Sequence, residues 1–251
     1  MRKLLIIADD FTGGLDTGVQ FAARGAATRV VTDPDYDFCC AEEDVTVLAV
    51  QTRHLRAEDA YRVVYDAVRR AKLAGVQYIY KKTDSALRGN IGSELSAALD
   101  ASGADAISFV PAFPQMGRTT KQGVHYVAGV PVAQSVFGKD PFEPVRSSEV
   151  AGIIREQSSK PVVLHDLEGN LAPSAPGIHV YDAETDEDLF EIGKGLGEKG
   201  LRLCAGCAGF AAVLADILIP GGAAQAFPRL EPSLFVICGS MNPVTLRQMQ
   251  Q

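Results

Sequence analysis

The stretch Lys81–Lys82–Thr83–Asp84–Ser85–Ala86–Leu87–Arg88–Gly89–Asn90–Ile91–Gly92 gathers cations, a carboxylate, hydroxyls, an amide and glycines within a dozen residues. Carboxylates bind hydroxyls and can deprotonate one, while guanidiniums hold carboxylates bidentately. Asp9–Asp10–Phe11–Thr12–Gly13–Gly14, with Asp16 close behind, is a second such cluster. Adjacent aspartates are costly at a strand end unless solvated or paired with cations or a metal. Capping and turn chemistry alone is the plainer alternative there. Gln51–Thr52–Arg53–His54 and Gly117–Arg118–Thr119–Thr120 add two more polar turns. The candidates are therefore Asp9, Asp10, Asp16, Arg53, Asp84, Ser85, Arg88, Asn90, Arg118 and Thr119. A pocket holding both carboxylates and guanidiniums suits a small polyhydroxy acid.

The elements that must position these groups follow from hydrophobic pattern. Leu4–Ala8 is a continuous apolar run, as expected of a strand buried on both faces of a parallel sheet. Further strands are expected at Thr28–Thr32, Val45–Val50, Val76–Tyr80, Asp105–Val110, Pro161–His165, Ile178–Tyr181 and Leu201–Cys204. Helical spacing separates most of them: Leu15–Arg24 with Val19, Ala22 and Ala23 inward, Arg56–Ala74, Ile91–Leu99, Ser147–Gln157, a helix capped by Thr185, and one running to about Leu218. The span Gly123–Arg146 is long for a loop and has room for a hairpin at Gly123–Val132. This alternation predicts an α/β fold, three layers (α/β/α) with a mostly parallel, doubly wound sheet. In such sheets ligands bind at the carboxyl ends of strands, where all four polar turns fall.

Composition narrows the function. The chain has 251 residues, 47% of them hydrophobic, with a net charge of −7. That charge argues against a nucleic-acid partner. No apolar run approaches the ~18 residues of a membrane span and no export signal is evident, so a cytoplasmic protein is expected. Five cysteines, an odd count, suggest reduced thiols. Cys204, Cys207, Cys39 and Cys40 read as buried small residues. The histidines lack ligand spacing, so no protein-held metal is expected. Gly193–Lys194–Gly195–Leu196–Gly197 lies where a helix should end and lacks the P-loop GK[ST], so it is not a phosphate loop. A haloacid-dehalogenase-type phosphatase would need D-x-D-x-T after the first strand. An NAD-dependent Rossmann enzyme would need glycines where Asp9 and Asp10 stand, and these carboxylates would repel a pyrophosphate.

Five blocks in order resemble the four-carbon acid sugar kinase family. They are Ala8–Asp9–Asp10–Phe11–Thr12–Gly13 with Asp16; Lys82–Thr83–Asp84–Ser85 with Leu87–Arg88–Gly89–Asn90; Pro111–Ala112–Phe113–Pro114 with Gly117–Arg118–Thr119–Thr120; Asp182 through Leu189; and Gly239–Ser240 with Pro243–Val244–Thr245. The resemblance implies an ATP-dependent kinase that phosphorylates the terminal hydroxyl of threonate, erythronate or 3-oxo-tetronate. It implies a sugar-acid-binding domain over residues 1–230 and, over 231–251, the start of a truncated nucleotide-binding domain, with Ser240 touching ATP. Arg88 and Arg118 would hold the acid's carboxylate, and Asp84 or Asp10 would orient and deprotonate the hydroxyl. Lys82 joins the substrate-binding set, and the Asp9/Asp10 edge would help position Mg²⁺. Ala86 departs from the hydroxyl residue common in the family. No complete phosphate cradle is present, so the chain alone is expected to be inactive. The alternative is a non-catalytic sugar-acid-binding or regulatory module. An uncovered first element of a further domain also points to a homo-oligomer.

Overall fold

Eight strands form one wholly parallel sheet in a computed structural model that describes residues 3–219, 238–239 and 243–250. They are β1 (Leu4–Ala8), β2 (Thr28–Val31), β3 (Val45–Ala49), β4 (Tyr78–Lys82), β5 (Ala106–Val110), β9 (Val162–His165), β10 (Gly177–Tyr181) and β11 (Leu203–Gly206). Their order is β2-β3-β1-β4-β11-β5-β10-β9. Helices α1 (Phe11–Ala22), α5 (Asp186–Leu201) and α6 (Ala208–Leu218) pack on one face, with a core that includes Phe21, Ile192 and Phe210. Helices α2 (Ala57–Leu73), α3 (Ile91–Ser102) and α4 (Val150–Arg155) cover the other, around Val64, Leu95 and Ile154. The inner strands β1, β3 and β10 are buried along their whole length and mostly apolar, whereas the edge strands β2 and β9 are only partly buried. The three-layer, doubly wound α/β fold is as the sequence predicts.

Register decides where the polar turns lie. Ala8 pairs with Ala49 on one side and Lys82 on the other, so β1, β3 and β4 end level. The chain winds outward from β1 to β2 and β3, then crosses to β4 on the opposite flank. The β1/β4 junction is thus the topological switch point, where an open α/β sheet leaves a crevice.

A three-stranded antiparallel sheet follows β5: β6 (Arg118–Lys121), β7 (Val124–Val127) and β8 (Val130–Pro131). Its turns, Gln122–Gly123 and Ala128–Gly129, have positive φ at both residues, as type I′ hairpins require. Asp182 pins the first turn by accepting from the Gly123 N–H at 3.0 Å.

Several sequence expectations need correction. Helix α1 begins at Phe11 rather than Leu15, capped by Asp10, and it buries Gly14, Thr17, Gly18 and Phe21. Val19, expected inward, is 53% exposed. The small residues allow close approach: a Cβ on Gly18 would meet Val47 Cγ2 at 3.1 Å. Lys81 belongs to β4 and is fully buried rather than part of the turn. Helix α5 breaks at Gly197 but resumes for a final turn to Leu201. Cys204 and Cys207 are buried as expected, whereas Cys39 and Cys40 are exposed, because Phe38 alone of that short 3₁₀ turn points inward. Thr185 caps α5 with a full capping box to Asp188. Most of the expected start of a nucleotide-binding domain, residues 231–251, including Ser240, falls outside the described residues; a helix, α7, spans Pro243–Met249.

Candidate functional site

Arg53 lies at the centre of the switch-point crevice. Its Nε donates to Asp9 Oδ2 at 2.7 Å, and its Nη1 lies 3.0 Å from Asp10 Oδ2. Its Nη2 reaches within 3.7 Å of Asp84 Oδ1. One guanidinium thus ties together the carboxyl ends of β1, β3 and β4. Arg88 holds Asp84 in a fork, Nε to Oδ2 at 2.8 Å and Nη2 to Oδ1 at 3.0 Å, the strongest ion-pair geometry available to arginine. Burial pushes the Asp84 carboxyl up, but the Arg88 hydrogen bonds and the two guanidinium charges outweigh it and hold it below its usual range. Asp84 is therefore a poor proton acceptor. The Asp10 side chain is 32% exposed against 10% for Asp84, and it accepts from the Gly13 N–H at 2.8 Å as the α1 cap.

Lys82 stands beside these groups, with Nζ donating to the Thr83 carbonyl at 2.7 Å. Gly13 makes room for it: a Cβ there would fall 2.4 Å from Asp10 Oδ1 and 2.7 Å from Lys82 Nζ. Arg118, from β6, enters from the small sheet. The Phe137 ring lies under both guanidiniums, 5.0 Å from Arg88 and 5.6 Å from Arg118. Nη1 of Arg118 donates to the Met116 carbonyl, while its buried Nε has no hydrogen-bond partner.

Other candidates fall elsewhere. The Asn90 amide donates to the carbonyls of Thr52 and Leu55, both at 2.9 Å, so it shapes the Arg53 loop rather than facing the crevice. Asp16 is exposed on α1, and no described contact joins its carboxylate to the cluster. Thr119 is half-buried in β6, opposite Tyr126. Ser85 contributes its carbonyl, which accepts from His125 Nε2 at 2.9 Å.

Three groups escaped the sequence reading. Glu94, in the first turn of α3, is fully buried; it lies 2.8 Å from Lys81 Nζ and accepts from the Thr52 hydroxyl. This set underpins the Arg53 loop. His125 is buried with Nδ1 3.0 Å from Thr120 Oγ1, and burial lowers its pKa to about 4. A carbonyl can only accept, so Nε2 carries the proton toward Ser85 and Nδ1 accepts from Thr120. Asp140 pairs with Arg88 Nη1 at 3.1 Å. A glutamate at a helix start reads as dipole complement, and His125 has no ligand spacing, so neither gave a sequence signal.

Asp9 and Asp10 are bridged by a cation of the protein itself. Arg53 already occupies the space between the carboxylates, and among the described residues no group of three His, Cys, Asp or Glu could hold a metal. Asp9 Oδ1 is buried without a hydrogen-bond partner, as are Arg118 Nε and Thr83 Oγ1. Also among the described residues, no helix is long and apolar enough to cross a membrane.

Comparison with known proteins places this arrangement. The chain is 37% identical over 260 residues to a D-threonate kinase of Salmonella typhimurium, covering 98% of this chain and 60% of that protein. It is 32% identical to a D-erythronate kinase of Heliobacterium modesticaldum, covering 100% of this chain and 60% of the relative. The chain therefore spans about three fifths of these relatives' length. A crystal structure of a DUF1537 domain from Bordetella bronchiseptica, a domain-swapped dimer with bound citrate, superposes with TM-score 0.77 at 35% identity. That match covers 86% of this chain and 56% of the other. The family model described as the sugar-binding N-terminal domain matches residues 4–214, a range that includes every strand of the parallel sheet and every residue of the crevice, and the chain belongs to that family.

Proposed function

We propose that this domain binds a four-carbon sugar acid and presents its terminal hydroxyl for phosphorylation by ATP, the acceptor side of a sugar-acid kinase. The observation that carries this reading is the juxtaposition at the switch point: Arg53 clamps Asp9, Asp10 and Asp84, while Arg88 and Arg118 share the Phe137 ring beside it. Carboxylates there suit hydroxyls, and paired guanidiniums suit a carboxylate. The names of the curated relatives support the same class: threonate, erythronate and 3-oxo-tetronate kinases.

Within this reading Arg88 and Arg118 hold the acid's carboxylate. Asp10, the more exposed of the two carboxylates, accepts the hydroxyl proton, and Asp84 holds Arg88 in place. Residues 1–230 act as the acid-binding unit. ATP and its Mg²⁺ come from the rest of a kinase of this lineage; metal usually arrives on substrate phosphates with only one or two carboxylates from protein.

Isothermal titration of this chain with D-threonate, D-erythronate and 3-oxo-tetronate tests the proposal. At least one acid is expected to bind, and Arg88→Ala to weaken it by roughly 30- to 100-fold, as loss of a charged hydrogen bond does. No heat from any of the three with the wild-type chain overturns it.

A further inference from the structure

Arg88 is not free to receive a ligand. Its Nε/Nη2 edge is taken by Asp84, which leaves the Nη1/Nη2 edge as its outward, bidentate face. Asp140 Oδ2 sits on that face, 3.1 Å from Nη1. Asp140 arrives there on a strap, residues 140–146, between the short helical turn Val136–Lys139 and α4. Its other oxygen accepts from the N–H groups of Phe142 and Glu143, both at 3.0 Å, which fixes the strap in a tight turn. Glu143 makes a second latch, 3.2 Å from His54 Nδ1 on the loop after β3. A cavity of about 280 Å³ lies beside Arg88 under the strap, lined in part by Phe142, Arg146 and Gln157. Phe142 at the strap's tip is exposed.

A carboxylate arriving at the same edge of Arg88 meets one already in place. Two carboxylates on a single guanidinium edge repel, so the incoming acid displaces Asp140 or does not bind there. We propose that Asp140 is a specificity-determining residue, a resident carboxylate that occupies the acid subsite on Arg88 and must be displaced by the ligand's own carboxylate. This inference rests on the proposed acid-binding function and names the point of competition within that site. Acids whose hydroxyls also engage the Asp10 side have the extra affinity to open the latch. Neutral polyols leave it shut, and simple carboxylates compete poorly.

The apparent affinity for an acid is reduced by the fraction of molecules in which the latch is closed. Neutralising Asp140 removes that reduction. Asp140→Asn keeps the side-chain oxygen that caps the turn, and Asp140→Ser keeps a shorter one should the amide variant fold poorly. Titration calorimetry with D-threonate, D-erythronate, 3-oxo-tetronate and the uncharged threitol, on wild type and both variants, is the test. Acid binding is expected to tighten on the order of 3- to 10-fold in the variants, given the modest strength of a partly exposed ion pair, with threitol unchanged. Equal or weaker acid binding in the variants, with wild-type binding measurable, overturns the competition and leaves the acid-binding function standing. A parallel gain for threitol shows general loosening of the strap and also overturns it. No acid binding by wild type or variant removes the acid-binding function and this inference together.

Discussion

Lys81 and Lys82 are adjacent on β4, yet they serve two regions of opposite character. Lys81 points toward α3, where its charge is met by Glu94 at 2.8 Å and its ammonium also donates to the Ile7 carbonyl at 3.2 Å. Nothing in that set touches solvent. Lys82 points toward α1 and the crevice, beside Gly13 and Asp10, where carboxylates and guanidiniums are partly wet. The inner pair fixes the loop that carries Arg53. The outer cluster keeps charge where a ligand can exchange with it. The Lys81–Glu94 pair is sealed off, whereas the crevice mixes buried Asp9 and Asp84 with the partly exposed Asp10 and Arg88.

The comparison can be broken most sharply from the inside. A buried pair cut at one end leaves an uncompensated charge, so Glu94→Ala is expected to lose about 3–5 kcal/mol of folding stability. The double variant Lys81→Met, Glu94→Leu should recover most of that loss, since apolar replacements of a buried pair are often neutral or better. Denaturant melts of the three chains decide it; a double variant as unstable as the single one would show that the pair does more than compensate itself.

The next effect in size belongs to His125. Its folded pKa of about 4 lies below the usual histidine value, so the unfolded chain binds the proton first as pH falls. The stability it contributes is complete above about pH 6.5 and drains away down to about pH 4, by up to roughly 3 kcal/mol. Melting curves across that window should steepen for wild type relative to His125→Gln. Parallel curves would mean that His125 titrates normally.

The smallest effect is expected outside. Asp10→Asn retains a good helix cap and removes a partly exposed charge, so stability should change by less than about 1 kcal/mol. The same substitution is expected to abolish phosphorylation in a complete kinase of this lineage while weakening acid binding far less than Arg88→Ala does. A large stability loss would move Asp10 into the structural class with Glu94.

The strand ends were legible because apolar runs of buried parallel strands break abruptly at Asp9, Arg53 and Asp84, and parallel register brings such breaks level. What pattern could not supply was depth. Lys81 looks like part of the polar turn because a lysine inside a sheet is rare without a partner, and that partner, Glu94, is disguised as an ordinary helix start. The buried face of α1 departs from its apolar pattern for a related reason. Large apolar residues suggest an inward stripe, but here Gly14 and Gly18 let the helix lie close on Val47, turning Phe11, Leu15 and Val19 outward. Asp140 carries no signal at all, since its role arises only from where the strap brings it.

The strand order has a temporal consequence. β11 sits between β4 and β5 at the middle of the sheet although it is the last of the eight in sequence. As the chain emerges from a ribosome, the β2-β3-β1-β4 and β5-β10-β9 halves can each pair internally, but each presents a bare inner edge until Leu203–Gly206 slides between them. Such edges are templates for pairing with other chains, and late, long-range closure is slow. The crevice between β1 and β4 can thus assemble before the sheet beside it is sealed, while the β4 and β5 edges stay open to pairing with other chains until β11 arrives.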